Sequence, residues 1–169
     1  VAGNLTDHYD PRNKVLRLSD ATYGQCSVAA VGVAAHECGH AIQHARGYAP
    51  LQFRSALVPV ANFGSMIAWP LIVLGLFINS QSSALLINIG ILAFSLAVLF
   101  QLVTLPVEYN ASGRAVRILA ETGMMQGEEI VATKKVLNAA ALTYVASAAA
   151  AILQLVRILI LTGGRRRDD

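Results

Sequence analysis

The chain has 169 residues, of which 55% are hydrophobic and 14% charged, with a formal net charge of +3. This composition is too apolar for an ordinary soluble domain of that length and predicts a membrane protein. The 13 Lys and Arg residues are scattered, with no aromatic interleaving and no basic helix, which excludes nucleic acid as a partner.

The sequence starts without Met, inside a strand-like stretch and with no secretory pattern, so a further N-terminal segment is expected before it. Residues 4–18 read as a hairpin, with strands over 4–9 and 14–18 around Asp10-Pro11-Arg12-Asn13, where Asp and Pro take their favoured type I turn positions. Asp7, His8 and Asp10 make a polar cluster that a solvated turn explains, with His8 also a candidate neighbour of the site. Residues 19–25 form a connecting loop. Ser27 is the expected N-cap of a helix that runs to Arg46 and stops at Gly47.

That helix carries His36-Glu37-Cys38-Gly39-His40. Histidines four apart on a helix lie about 40° apart around its axis, so both imidazoles can reach one metal ion. Glu37 can then take a proton from water at the open position of a tetrahedral zinc. Cys38 is two positions from each histidine and points off their face, which reads as a small buried residue. Cys26 and Cys38 are about 18 Å apart along the helix and cannot bridge each other.

A catalytic zinc needs a third protein ligand. The pattern with a third His six residues beyond the second fails, since Arg46 stands there and Gln43 stands where that pattern needs Gly. His44 is one turn past His40, but His36, His40 and His44 span about 12 Å, too far for one ion. His44 is read as a cleft residue, a neighbour of the ligands or a polar helix end. The expected third ligand is Glu108, in Leu105-Pro106-Val107-Glu108-Tyr109-Asn110-Ala111-Ser112.

Between Ser55 and Val107 lie 53 residues without a charge, enough for two transmembrane helices, expected over 57–78 and 84–105 with a polar turn at 79–83. Pro59 and Pro70 are candidate kinks in the first. Two crossings return the chain to the side it left, so Glu108 emerges beside His36 and His40. The face around Glu108 is small, with Ala111, Ser112 and Ala115, and Ser112 can hydrogen-bond a ligating histidine from behind. Arg114 and Arg117 fall on other faces and read as solvent or headgroup contacts. The helix is expected to end near Thr122, before Gly123 and a loop over 124–127.

Residues 128–135 begin a further helix with a charged, solvated face, and 136–164 read as a third membrane helix interrupted by Gln154 and Arg157. The expected organisation is one catalytic unit in five parts: 1–54 (hairpin and motif helix), 55–107 (transmembrane hairpin), 108–135 (third-ligand helix and loop), 136–164 (third membrane helix) and 165–169 (charged tail). The expected fold class is mainly α and integral to the membrane, with a metal-site helix pair and a small N-terminal β-hairpin. Nine Lys and Arg residues lie on the site side and none in the 79–83 loop, which predicts a cytoplasmic site. Arg165 to Arg167 oppose this if the third helix crosses completely.

Ala34-Ala35-His36-Glu37-Cys38-Gly39-His40-Ala41, then Leu57-Val58-Pro59-Val60-Ala61-Asn62, then Phe100-Gln101-Leu102-Val103-Thr104 leading into the Glu108 segment, together resemble the YugP-type neutral zinc metallopeptidases of bacterial membranes. The resemblance extends over nearly the whole chain. It implies one zinc (Zn2+) per chain on His36, His40 and Glu108, with Glu37 as general base. It also implies an additional membrane helix at the N-terminus. More distantly the chain is similar to HtpX-type and prenyl-protein membrane proteases, which carry Asp where Ser112 stands here.

The function expected from these features is a gluzincin-like zinc metalloprotease, a multi-pass protein of the cell membrane acting on protein or peptide substrates, with membrane lipid as its other partner. The hairpin edge is the candidate for holding substrate backbone by strand addition. His8, Tyr23, Tyr48 and Tyr109 are candidate donors to the transition state. A site-2-type intramembrane protease fits less well, because only 15 uncharged residues separate Asp20 from His36 and no Leu-Asp-Gly element follows. A non-catalytic zinc-binding membrane scaffold is the alternative from another class. The oligomeric state is left open.

Overall fold

The computed structural model describes residues 1–78 and 82–163. Of the turn expected over 79–83, residues 79–81 lie outside the described residues, as does the charged tail 165–169. In chain order the described elements are strands β1 (His8–Asp10) and β2 (Val15–Arg17), then helices α1 (Val28–Ala45), α2 (Ala49–Phe77), α3 (Ser82–Glu121) and α4 (Glu128–Gly163). The chain divides into two compact units. One joins Val1–Gln52 to Leu105–Thr143, and the other joins Phe53–Thr104 to residues from Tyr144 onward.

The hairpin is antiparallel, with His8 opposite Arg17, Tyr9 opposite Leu16 and Asp10 opposite Val15. Its turn is built by Asp10, whose Oδ1 accepts the backbone N–H groups of Arg12 at 3.0 Å and Asn13 at 3.1 Å. Those bonds let an aspartate side chain replace a backbone turn, and Lys14 completes the reversal at φ +53°. The Asn13 side-chain amide, donating to Oδ2 at 2.7 Å, together with these backbone bonds and the Arg17 guanidinium at 3.2 Å, holds the Asp10 carboxyl well below the usual carboxylate range. The strands are shorter than the sequence suggests, three residues each.

α1 begins where expected, with the Ser27 hydroxyl accepting the Ala30 N–H at 3.2 Å. It ends at Gly47, whose φ of +61° is cheap only without a Cβ and whose N–H reaches the His44 carbonyl at 3.1 Å. Tyr48 N–H then bonds the Gln43 carbonyl at 2.9 Å, and α2 starts directly after it.

The membrane helices are longer than the uncharged runs. α2 begins at Ala49 rather than near residue 57 and carries both Pro59 and Pro70 inside it. The span expected over 84–105 and the helix expected after Glu108 are one continuous helix of 40 residues that passes through Pro106. Likewise 128–135 and the third membrane helix form one 36-residue helix, which neither Gln154 nor Arg157 interrupts. A 40-residue helix is about 60 Å long, roughly twice the ~30 Å hydrocarbon core of a bilayer. Such a helix can cross a membrane and still project a long segment beyond it.

α2, α3 and α4 are each long and apolar enough to cross a membrane, and only 22%, 22% and 17% of their most apolar stretches is buried within the protein. Phe63, Met66, Trp69, Leu92 and Leu153 are exposed large side chains on these helices. A soluble fold would cover such surface, whereas lipid can solvate it. In the unit built around Phe53–Thr104, α2 and α3 pack through small residues. A Cβ on Gly64 would lie 2.8 Å from the Ala93 carbonyl oxygen, and one on Gly90 would lie 2.9 Å from that of Ala68. In the other unit, Ala35, Ala115, Leu119, Met125 and Leu137 form the apolar core.

Candidate metal centre

α1 approaches its neighbours through a stripe of small residues. A Cβ on Gly39 would collide with the carbonyl oxygen of Ala111 on α3, and one on Gly32 would come within 3.1 Å of the Thr133 methyl on α4. Ala111 and Ala115 are fully buried in the same region. With backbones this close, side chains on either flank of the contact must meet one another.

The residues on those flanks are the motif side chains. His36 Nε2 lies 3.1 Å from Glu108 Oε2 and His40 Nε2 lies 3.4 Å from the same oxygen. The two imidazoles meet edge to face, with centroids 4.7 Å apart. Glu108, 72 residues from His36 in sequence, is 2% exposed. Glu37 belongs to the same cluster, its carboxylate and one nitrogen of each histidine lying within 4.8 Å of one another. Among the described residues no protein group hydrogen-bonds the Glu37 carboxylate, whereas Glu108 is engaged by both histidines.

The donor set suits zinc. Two ligand atoms on a tetrahedral zinc, each at ~2.0–2.2 Å, lie about 3.3–3.6 Å apart, close to the 3.1 and 3.4 Å found here between nitrogen and oxygen. Both Nε2 atoms face the carboxylate, and both Nδ1 atoms are occupied from behind. His36 Nδ1 lies 3.0 Å from the Ser112 hydroxyl, and His40 Nδ1 lies 3.0 Å from Gln43 Oε1. Burial pushes the His40 imidazole toward its neutral form, but the Glu108 carboxylate outweighs this and leaves its pKa above the ordinary 6.5. A site that prefers a proton there has negative charge to spare for a cation. Burial and the Glu37 charge push the Cys38 thiol up, which disfavours thiolate as a ligand.

The remaining candidates stand elsewhere. His44 Nδ1 lies 2.8 Å from the Tyr9 hydroxyl, so this histidine joins α1 to β1. His8 is exposed, its Nδ1 on the Thr6 carbonyl at 2.8 Å. Tyr23 is 76% exposed and Tyr109 45% exposed. Tyr48 carries the Arg114 guanidinium over its ring at 5.9 Å, and Arg114 is half-buried. Sequence reasoning missed Gln43, Asn110 and Tyr9. Gln43 lies three residues past His40, a spacing that puts it within reach on a helix, but nothing local announces its partners.

Three apolar helices and a buried His–Glu–His cluster define a membrane protein with a candidate metal centre. The chain belongs to the family described as "Putative neutral zinc metallopeptidase", which it matches over residues 1–163. It is similar to the "Putative membrane protease YugP" of Bacillus subtilis (strain 168), at 47% identity over 166 residues that cover 98% of this chain and 72% of that protein. No solved structure matches the chain. The family agrees with the resemblance carried by the motif residues, and its description implies zinc.

Proposed function

We propose that the protein is a zinc-dependent membrane endopeptidase holding one zinc on His36, His40 and Glu108, with Glu37 as general base. The observation that carries this reading is the convergence of both Nε2 atoms on one Glu108 oxygen while Glu37 stands beside them with no protein hydrogen bond to its carboxylate among the described residues. Zinc, when bound, supplies a Lewis acid that polarises a carbonyl and makes water acidic enough to lose a proton near pH 7. Glu37 accepts that proton and returns it to the departing amine. Ser112 steadies His36 from behind. The buried surroundings of Glu37, 8% exposed, limit bulk water at the reacting bond.

The substrate is a protein or peptide segment in extended form. The β1–β2 hairpin holds its backbone by strand addition, and Tyr9 ties β1 to α1 one turn past His40. The site lies on the cytoplasmic side of the cell membrane, supported by nine of the 13 Lys and Arg residues falling in 1–54 and 108–135.

The test is zinc content per chain in mild detergent, with hydrolysis of unfolded casein alongside. One zinc is expected in the wild type and in Glu37→Gln, which does not cleave, and none in Glu108→Ala. Full zinc in Glu108→Ala would remove Glu108 from the ligand set. Zinc without hydrolysis in the wild type, in casein and in membrane-protein substrates alike, would favour a scaffold.

A further inference from the structure

We propose that Gln43, Asn110 and Arg114 are positioning residues that fix which nitrogen of His40 carries the proton, and so keep Nε2 ready for metal. The proposal rests on His40 being a ligand, as argued above. For Nε2 to offer a lone pair, Nδ1 must hold the proton and needs an acceptor for it. Gln43 Oε1 at 3.0 Å is that acceptor, and in metal-free protein it competes for the proton with Glu108 Oε2, which lies 3.4 Å from Nε2.

An amide, however, has two ends of nearly the same shape, and a reversed Gln43 would present N–H groups to Nδ1 and select the wrong tautomer. Two bonds prevent the reversal. Gln43 Nε2 donates to the Val107 backbone carbonyl at 2.8 Å and to Asn110 Oδ1 at 3.0 Å. A reversed side chain would place its oxygen against two acceptors in a position that is 0% exposed, where unpaired polar atoms are costly. Asn110 has the same ambiguity and is oriented in turn by Arg114, whose Nε donates to Oδ1 at 2.7 Å.

Arginine has no acceptor and a backbone carbonyl has no donor, so the polarity of the whole chain is set at its ends. Read inward, Arg114 and Gln43 donate to Asn110, and His40 donates to Gln43. Tyr48 supports the outer end by packing under the guanidinium. His36 differs, because its Nδ1 meets the Ser112 hydroxyl, which can donate or accept and imposes no tautomer. Gln43 thereby acquires a reason for standing where the extended three-histidine pattern needs Gly. α1 continues through this position and uses the side chain.

The experiment uses the full chain in detergent, with zinc affinity measured by chelator competition and the imidazole nitrogens of metal-free protein read by 15N NMR at alkaline pH. The wild type is expected to show His40 with its proton on Nδ1. Gln43→Met and Asn110→Leu should lose that preference and bind zinc about 10–100-fold more weakly. Asn110→Asp keeps an acceptor for both donors and should stay close to the wild type. A wild-type His40 protonated on Nε2, or variants with unchanged tautomer and unchanged zinc affinity, would overturn the proposal. The wild-type tautomer decides the matter even if a variant fails to fold. Absence of zinc binding in the wild type would instead sink the metallopeptidase reading.

Discussion

α3 is approached at close range twice, by Gly64 of α2 at Ala93 and by Gly39 of α1 at Ala111, and in both places a Cβ would strike a backbone carbonyl oxygen. Around Gly64 the neighbours on α2 are Ala61, Ala68 and Ile72, all buried and apolar. Around Gly39 they are Glu37, His40 and Gln43, met by Glu108 and Ser112 from the other helix. The same device, a glycine that lets two helices touch, serves packing alone in one unit and brings the candidate metal ligands together in the other. What separates them is the chemistry carried on the flanks of the contact.

The sharpest way to separate contact from chemistry is Glu37→Gln, which preserves shape but removes the proton acceptor. Peptidase turnover should fall about 10²–10⁴-fold, with zinc content unchanged. Zinc loss in that variant would mean Glu37 is a ligand. Gly39→Ala attacks the contact itself. Because the obstruction is backbone, the helices must part, and zinc affinity should drop together with stability, by about 1–3 kcal/mol in thermal or denaturant unfolding. Gly64→Ala should cost a similar amount of stability while leaving zinc affinity at the wild-type value. Equal effects of the two glycine changes on zinc would erase the distinction between the two regions.

Smaller effects are expected at the hairpin. Tyr9→Phe removes the hydroxyl bonded to His44 and should cost about 0.5–1.5 kcal/mol, read as faster amide exchange in residues 8–17 with zinc content intact. Asp7 is bonded by the Ser19 N–H at 2.8 Å and hydroxyl at 2.9 Å. Burial raises its pKa, but those bonds prevail and leave it below the ordinary 3.8. A depressed carboxyl pKa stabilises above the unfolded value and is lost as pH falls through the folded value. Exchange at the Ser19 amide should therefore rise only below the usual carboxylate range. Exchange that is flat across that range would show that Asp7 contributes nothing to holding the loop.

Much of this was legible in the chain. The His36–Glu37–His40 triplet, the Ser27 cap, the Gly47 stop and the uncharged stretch are local signals, readable because each depends on residues within a turn or two of one another. Membrane class follows from composition alone. The continuity of α3 was not legible, since Pro106 and the first charge at Glu108 both mimic a boundary. An interior proline does remove one hydrogen bond, yet packed helices tolerate that loss.

Sequence by itself determined the motif, the helical spacing that aligns two imidazoles, and the apolar lengths that demand lipid. Only the tertiary structure decided that Glu108 lies within 3.1 Å of His36, that Ser112 stands behind one histidine and Gln43 behind the other, and that His44 turns to Tyr9. Local pattern is set by a periodicity that every residue obeys. Contacts across 64 to 76 positions depend on how closely two backbones can approach, which here comes down to Gly39 meeting Ala111.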